Sequence, residues 1–154
     1  MSPDTGTFDL TRSLPLPPDR LWPLLTDPHH RDHWGAPSDG TVLVTEVSDL
    51  RIGGQDRHRC GPADAPDFTV LTRWYHLEAP ARAVFTETLD IGGTAIFTSL
   101  VTYVLRPTAD GTDLALTVAL ASFTGADAMP DVRDGWTGGL ANLDGYIATL
   151  NLKA

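Results

Sequence analysis

The stretch that decides the fold is GWTGGLANLDGYIATL, residues 135–150. Trp136, Leu140, Leu143, Ile147 and Leu150 recur at intervals of four, three, four and three, one face of an α-helix. The spacing predicts a long amphipathic helix from about 127 to 151. Gly138, Gly139 and Gly145 oppose it on propensity grounds. Their small size suits a helix that lies close to a sheet or leaves room for a ligand.

Upstream the period is two. LALTVALASF places Leu114, Leu116, Val118 and Leu120 on one face of a strand. Longer extended segments are expected at 67–78, 82–89 and 94–106, separated by EAPAR and LDIGGT. Asp110-Gly111 is a hairpin signal. Shorter strands are expected at 41–47 and, after Gly53-Gly54, at 55–60. The chain opens with a strand at about 7–15, stopped by Pro17 and Pro18. PDRLWPLLTD then reads as a helix with Leu21, Leu24 and Leu25 as its buried stripe and Trp22 beside them. Pro23 is tolerable there if its missing donor falls in the first turn. PHHRDHW, 28–34, is a second short helix. One strand, two short helices, about six strands and a long helix give an α+β class, with an antiparallel sheet curled around the last helix. The whole chain, 1–154, is expected to be one domain.

The charge of −9 argues against binding phosphate backbones, and no basic amphipathic patch points to a membrane surface. Cys60 stands alone, so no internal disulfide forms, in keeping with a reducing, cytoplasmic setting. No apolar run reaches 18 residues and no secretory leader pattern opens the chain.

Four stretches, in this order, carry a family resemblance: LPPDRLWPLLTDPHHRDHW, DLRIGG, RWYHLEAPARAVFTETL, and LRPTADGTDLALTV followed by DGWTGGLANLDGYI. Together they resemble the START-like helix-grip (SRPBCC) superfamily, which also holds the Bet v 1 pollen allergens and polyketide cyclases. Within it the chain looks closest to the bacterial activator-of-heat-shock-protein-90-ATPase-like proteins. The resemblance implies a curved antiparallel sheet gripping the C-terminal helix, with a cavity between them. No cofactor and no metal are implied.

On that fold, Trp34, Trp74 and Trp136 are expected to line one hollow, since aromatic walls with a few polar groups typify small-molecule pockets. Alternation puts His76 on the face of Trp74, beside Phe85 and Glu87 across the EAPA turn. His58, Phe97, Tyr103 and Leu140 complete the candidate lining. Arg51, Arg57 and Arg59 more often pair with surface acids than hold an anion. In HHRDH, His29 and His33 have zinc spacing, but no third ligand is evident, and a polar surface helix is the simpler reading. Cys60 and His58 on one strand lie about 7 Å apart, too far for a nucleophile and base pair. No phosphate-binding loop or nucleophile elbow occurs.

The leading functional expectation is binding of a hydrophobic or aromatic small molecule. A polyketide cyclase/dehydratase-like or hydrolase-like enzyme in the same cavity is the first alternative, with His76, Glu87 and Tyr103 as candidates to move protons. A stress-related protein-interaction module, acting as a homodimer, is the second.

Overall fold

The computed structural model describes residues 4–36 and 39–150. Its strands are β1 (Asp4–Leu14), β2 (Thr41–Val47), β3 (Gln55–Pro62), β4 (Phe68–Glu78), β5 (Arg82–Ile91), β6 (Thr94–Pro107) and β7 (Thr112–Ser122). Its helices are α1 (Pro18–Thr26), α2 (Pro28–Trp34) and α3 (Ala128–Thr149). The expected helix end at residue 151 lies outside the described residues.

All seven strands form one antiparallel sheet in the order β1-β7-β6-β5-β4-β3-β2. From β2 to β7 each strand pairs with the next, and β1 returns to pair with β7. The α1–α2 segment therefore carries the chain from one sheet edge to the other. The sheet curves around α3, so the helix-grip expectation holds. Hairpin chemistry follows the sequence: Gly92 and Gly93 have φ of 60° and 86°, the two left-handed positions a tight β5–β6 turn requires.

The α3 stripe is buried where the spacing places it. Trp136, Leu140, Leu143 and Ile147 all face inward, against a sheet face supplied by Leu114, Leu116, Val118, Val101 and Phe85. The helix packs most closely on β1, β7 and α2. Arg12 of β1 holds Asp144 at 3.0 Å, and Asn142 donates to the carbonyls of Trp34 and Ala36 at 3.4 and 3.2 Å. In α1, Leu21, Leu24 and Leu25 are buried as expected. Pro23 departs from expectation: the helix starts at Pro18, so Pro23 lies inside it, past the first turn, and one backbone bond is forgone.

Leu143 is fully enclosed beneath the sheet. Truncation there leaves a cavity that neither sheet nor helix can close without moving. Leu143→Ala should destabilise the fold by about 2–5 kcal/mol. Urea unfolding should show it as a lower midpoint with an unchanged slope.

Candidate functional site

Because α3 hugs the β1–β7 side, the sheet stands away from it at the β3–β5 side. A partly open cavity of about 200 Å³ occupies the gap. Its walls are mainly apolar. Leu43, Val70, Leu89 and Phe97 come from the sheet, Trp34 from α2, and Val132 and Trp136 from α3. Gly35, Gly135 and Gly139 also line it, so of the three helix glycines expected to oppose α3, Gly139 makes room here while Gly138 and Gly145 lie outside the lining. At Gly139 a side chain would meet the Trp34 indole at 3.7 Å, ordinary contact. At Gly35 it would collide with the Leu43 side chain at 2.6 Å and the Arg31 backbone oxygen at 2.8 Å. The polar lining is Arg31, Glu87, Cys60 and, exposed at the rim, Asp131.

Arg31 is the residue that the sequence reading missed. It lies three positions before Trp34 on α2, so the two share a helix face. A fully enclosed Trp34, whose indole N–H donates to the Leu24 carbonyl at 2.7 Å, turns that face inward. The guanidinium sits 4.9 Å from the Trp34 ring and 5.2 Å from the Trp136 ring, held by two cation–π contacts. Its Nη1 approaches Glu87 Oε2 at 3.7 Å, and among the described residues its Nε has no hydrogen-bond partner. Burial works to lower its pKa, but Tyr103, Glu87, Asp32 and Cys60 together hold it above the ordinary value, so it stays charged. The histidines around it face elsewhere. His33 stacks on Tyr146 at 4.8 Å, and His30 Nδ1 lies 2.7 Å from the Tyr146 hydroxyl, tying α2 to α3. Among the described residues, no group of three metal-ligating side chains converges.

A polar row crosses the inner sheet face to reach Glu87. The Thr45 hydroxyl donates to Asp32 Oδ1 at 2.7 Å, so its oxygen is left to accept from His58 Nδ1, also at 2.7 Å. That bond assigns the Nδ1–H tautomer to His58. His58 Nε2 faces the Thr72 hydroxyl at 3.5 Å, and Thr72 donates to Glu87 Oε2 at 3.4 Å. Register explains the row: Thr45 pairs with His58, and Thr72 with Glu87. Burial first, and the Arg31 charge second, depress the His58 pKa to about 3. Burial raises the Cys60 thiol, with Arg31 opposing, so this sulfur stays protonated and is poorly suited to attack.

The sequence candidates therefore divide. Trp34, Glu87, Phe97 and Trp136 line the cavity. Trp74, Phe85 and Tyr103 do not. They form an aromatic array behind it, with ring centroids 4.9 and 5.1 Å apart, that ends on Trp136. The Trp74 N–H faces buried Asp56 Oδ2 at 3.3 Å. Tyr103 is wholly buried, its hydroxyl has no partner among the described residues, and burial pushes its pKa up. Leu140 is core, and His58 belongs to the polar row.

His76 is a correction. The pairing runs Trp74 to Phe85, then His76 to Val84, which leaves Tyr75 as an extra residue in β4. This bulge breaks the alternation, so His76 and Glu78 point outward and Leu77 inward. His76 meets Glu78 at 3.3 Å, with about half of its side chain exposed. The expected surface pairing of arginines is seen at Arg51–Asp49 and Arg57–Glu46, whereas Arg59 donates to the Pro66 carbonyl.

The family model for Activator of Hsp90 ATPase homolog 1-like protein matches residues 15–148. A crystal structure of a Rhizobium loti protein superposes with a TM-score of 0.82 at 28% identity, over 95% of this chain and 99% of that one. The solution structure of an AHSA1-like protein from Aeromonas hydrophila gives 0.75 at 23% identity, covering 96% of each chain. A Rhodobacter sphaeroides protein gives 0.77 at 24% identity, over 97% of this chain and 99% of that one. No functionally curated protein matches the chain. No described helix is long and apolar enough to cross a membrane.

The His58 environment makes a signed prediction. Folded His58 stays neutral down to about pH 3, while the unfolded chain takes up a proton near 6.5. Between those values the unfolded state binds more protons, so this contribution is complete above 6.5 and is lost as pH falls. From pH 7 to pH 5 it should amount to about 2 kcal/mol. Urea midpoints at both pH values should fall more for the native chain than for His58→Gln. Equal falls would remove the assignment.

Proposed function

The chain belongs to the Activator of Hsp90 ATPase homolog 1-like family, and we propose that it binds a small hydrophobic or aromatic molecule in the cavity between sheet and C-terminal helix. The observation that carries this reading is a charged Arg31 pressed between Trp34 and Trp136 in an otherwise apolar hollow. An apolar pocket with one or two placed polar groups is the usual form of a small-molecule site.

The polar groups favour holding a ligand over chemical turnover. Cys60 is a protonated thiol, His58 is bonded through Nδ1 to Thr45 and its low pKa makes it a weak base, and His76 points to solvent. Arg31 and Glu87 remain to orient a bound group. The buried lone cysteine accords with the cytoplasmic setting that we assign.

Trp34 and Trp136 lie in the wall and should report occupancy. Titration with a panel of aromatic and apolar compounds should change intrinsic tryptophan fluorescence saturably. The change should persist in Trp74→Phe, because that ring lies outside the cavity. It should disappear in Gly139→Leu, whose side chain projects into the hollow. A folded protein that responds to no member of the panel would overturn the reading.

A further inference from the structure

The apolar wall is interrupted at one place, and its chemistry restricts what binds there. Arg31 and Glu87 face each other at 3.7 Å, an ion pair too long to be a hydrogen bond. Thr72 donates to Glu87 Oε2, and among the described residues no hydrogen-bond donor reaches Oε1, which can accept from an incoming group. The guanidinium offers donors only. A group seated between them must therefore accept from Arg31 and donate to Glu87.

Charge decides between the groups that bring an oxygen. The two buried charges cancel, and the exposed Asp131 at the rim adds a negative one. A carboxylate ligand would add excess negative charge beside the buried Arg31–Glu87 pair, which burial penalises. A neutral hydroxyl both accepts and donates through one atom and leaves the charge balanced.

Size and lining fix the rest of the ligand. A dry apolar cavity of roughly 150 Å³ accepts benzene. This one, at about 200 Å³, suits a single ring with a small substituent. Trp34, Trp136 and Phe97 make its wall aromatic, which suits a ring. We infer that the cavity selects neutral single-ring phenols, with the hydroxyl between Arg31 and Glu87 and the ring against Trp34 and Trp136. The inference rests on the small-molecule reading given above and names its ligand class.

Toluene, p-cresol and benzoate share one ring and differ in the polar group. Their affinities should be measured by calorimetry at pH 7, where p-cresol, a phenol like the tyrosine side chain, is neutral. p-Cresol should bind about tenfold tighter than toluene or better, since it adds hydrogen bonds to charged groups. Benzoate should bind most weakly. The double variant Arg31→Met with Glu87→Leu removes both charges together and strands neither. It should retain toluene and lose the preference for p-cresol. Equal affinities for toluene and p-cresol, benzoate as the tightest ligand, or a preference that survives the double variant would each overturn the inference while leaving the cavity as a binding site. No binding of any probe by the folded native chain would overturn the small-molecule reading too. The three-probe comparison on the native protein stands even if the double variant does not fold.

Discussion

One helix cannot cover a seven-stranded sheet. Strands about 4.8 Å apart give this sheet an inner face roughly 29 Å wide. A helix with its side chains is only about 10–12 Å across. α3 covers the β1–β7 side, where its leucines and Ile147 meet the alternating residues of β7. Curvature and the α1–α2 crossover close part of the remainder. What is left between β3–β5 and α3 becomes the cavity. Its existence follows from the mismatch of widths, and its chemistry from what α2 brings across.

Trp34 is the piece that joins these parts. It is fully buried, bonds to the end of α1, rests on Gly139 of α3 and turns Arg31 inward. Burying a guanidinium is costly unless its charge is met. Here two indole faces and Glu87 meet it. Glu87 is itself held through Thr72 at the end of a row that reaches Asp32, the next residue along α2. Arg31 and Asp32 thus engage opposite ends of one polar line across the sheet.

Much of this was legible in the sequence. The change from period two to period 3.6 after residue 122 separated sheet from helix, and each strand lies close to its expected place. Trp34, Trp136, Glu87 and Phe97 could be picked as inward residues because helical spacing holds at the tryptophans, and alternation holds along β5 to Leu89 and along β6 from Phe97 onward. His76 could not be placed. A single extra residue, Tyr75, reverses the strand's faces, and nothing in RWYHLE announces it. Arg31 was hidden among four polar neighbours, although its spacing of three from Trp34 was a usable signal.

The sequence alone determined the class of fold, because periodicity is a local property set by backbone geometry. It also determined which residue types were available for a pocket wall. Only the tertiary structure decided which of them share the cavity. Trp74, Phe85 and Tyr103 have the same character as Trp34 and Trp136, yet they pack on one another behind the wall. That choice depends on where α3 lies over the sheet and on one bulge in β4, and both are set by long-range packing that no short stretch of chain encodes.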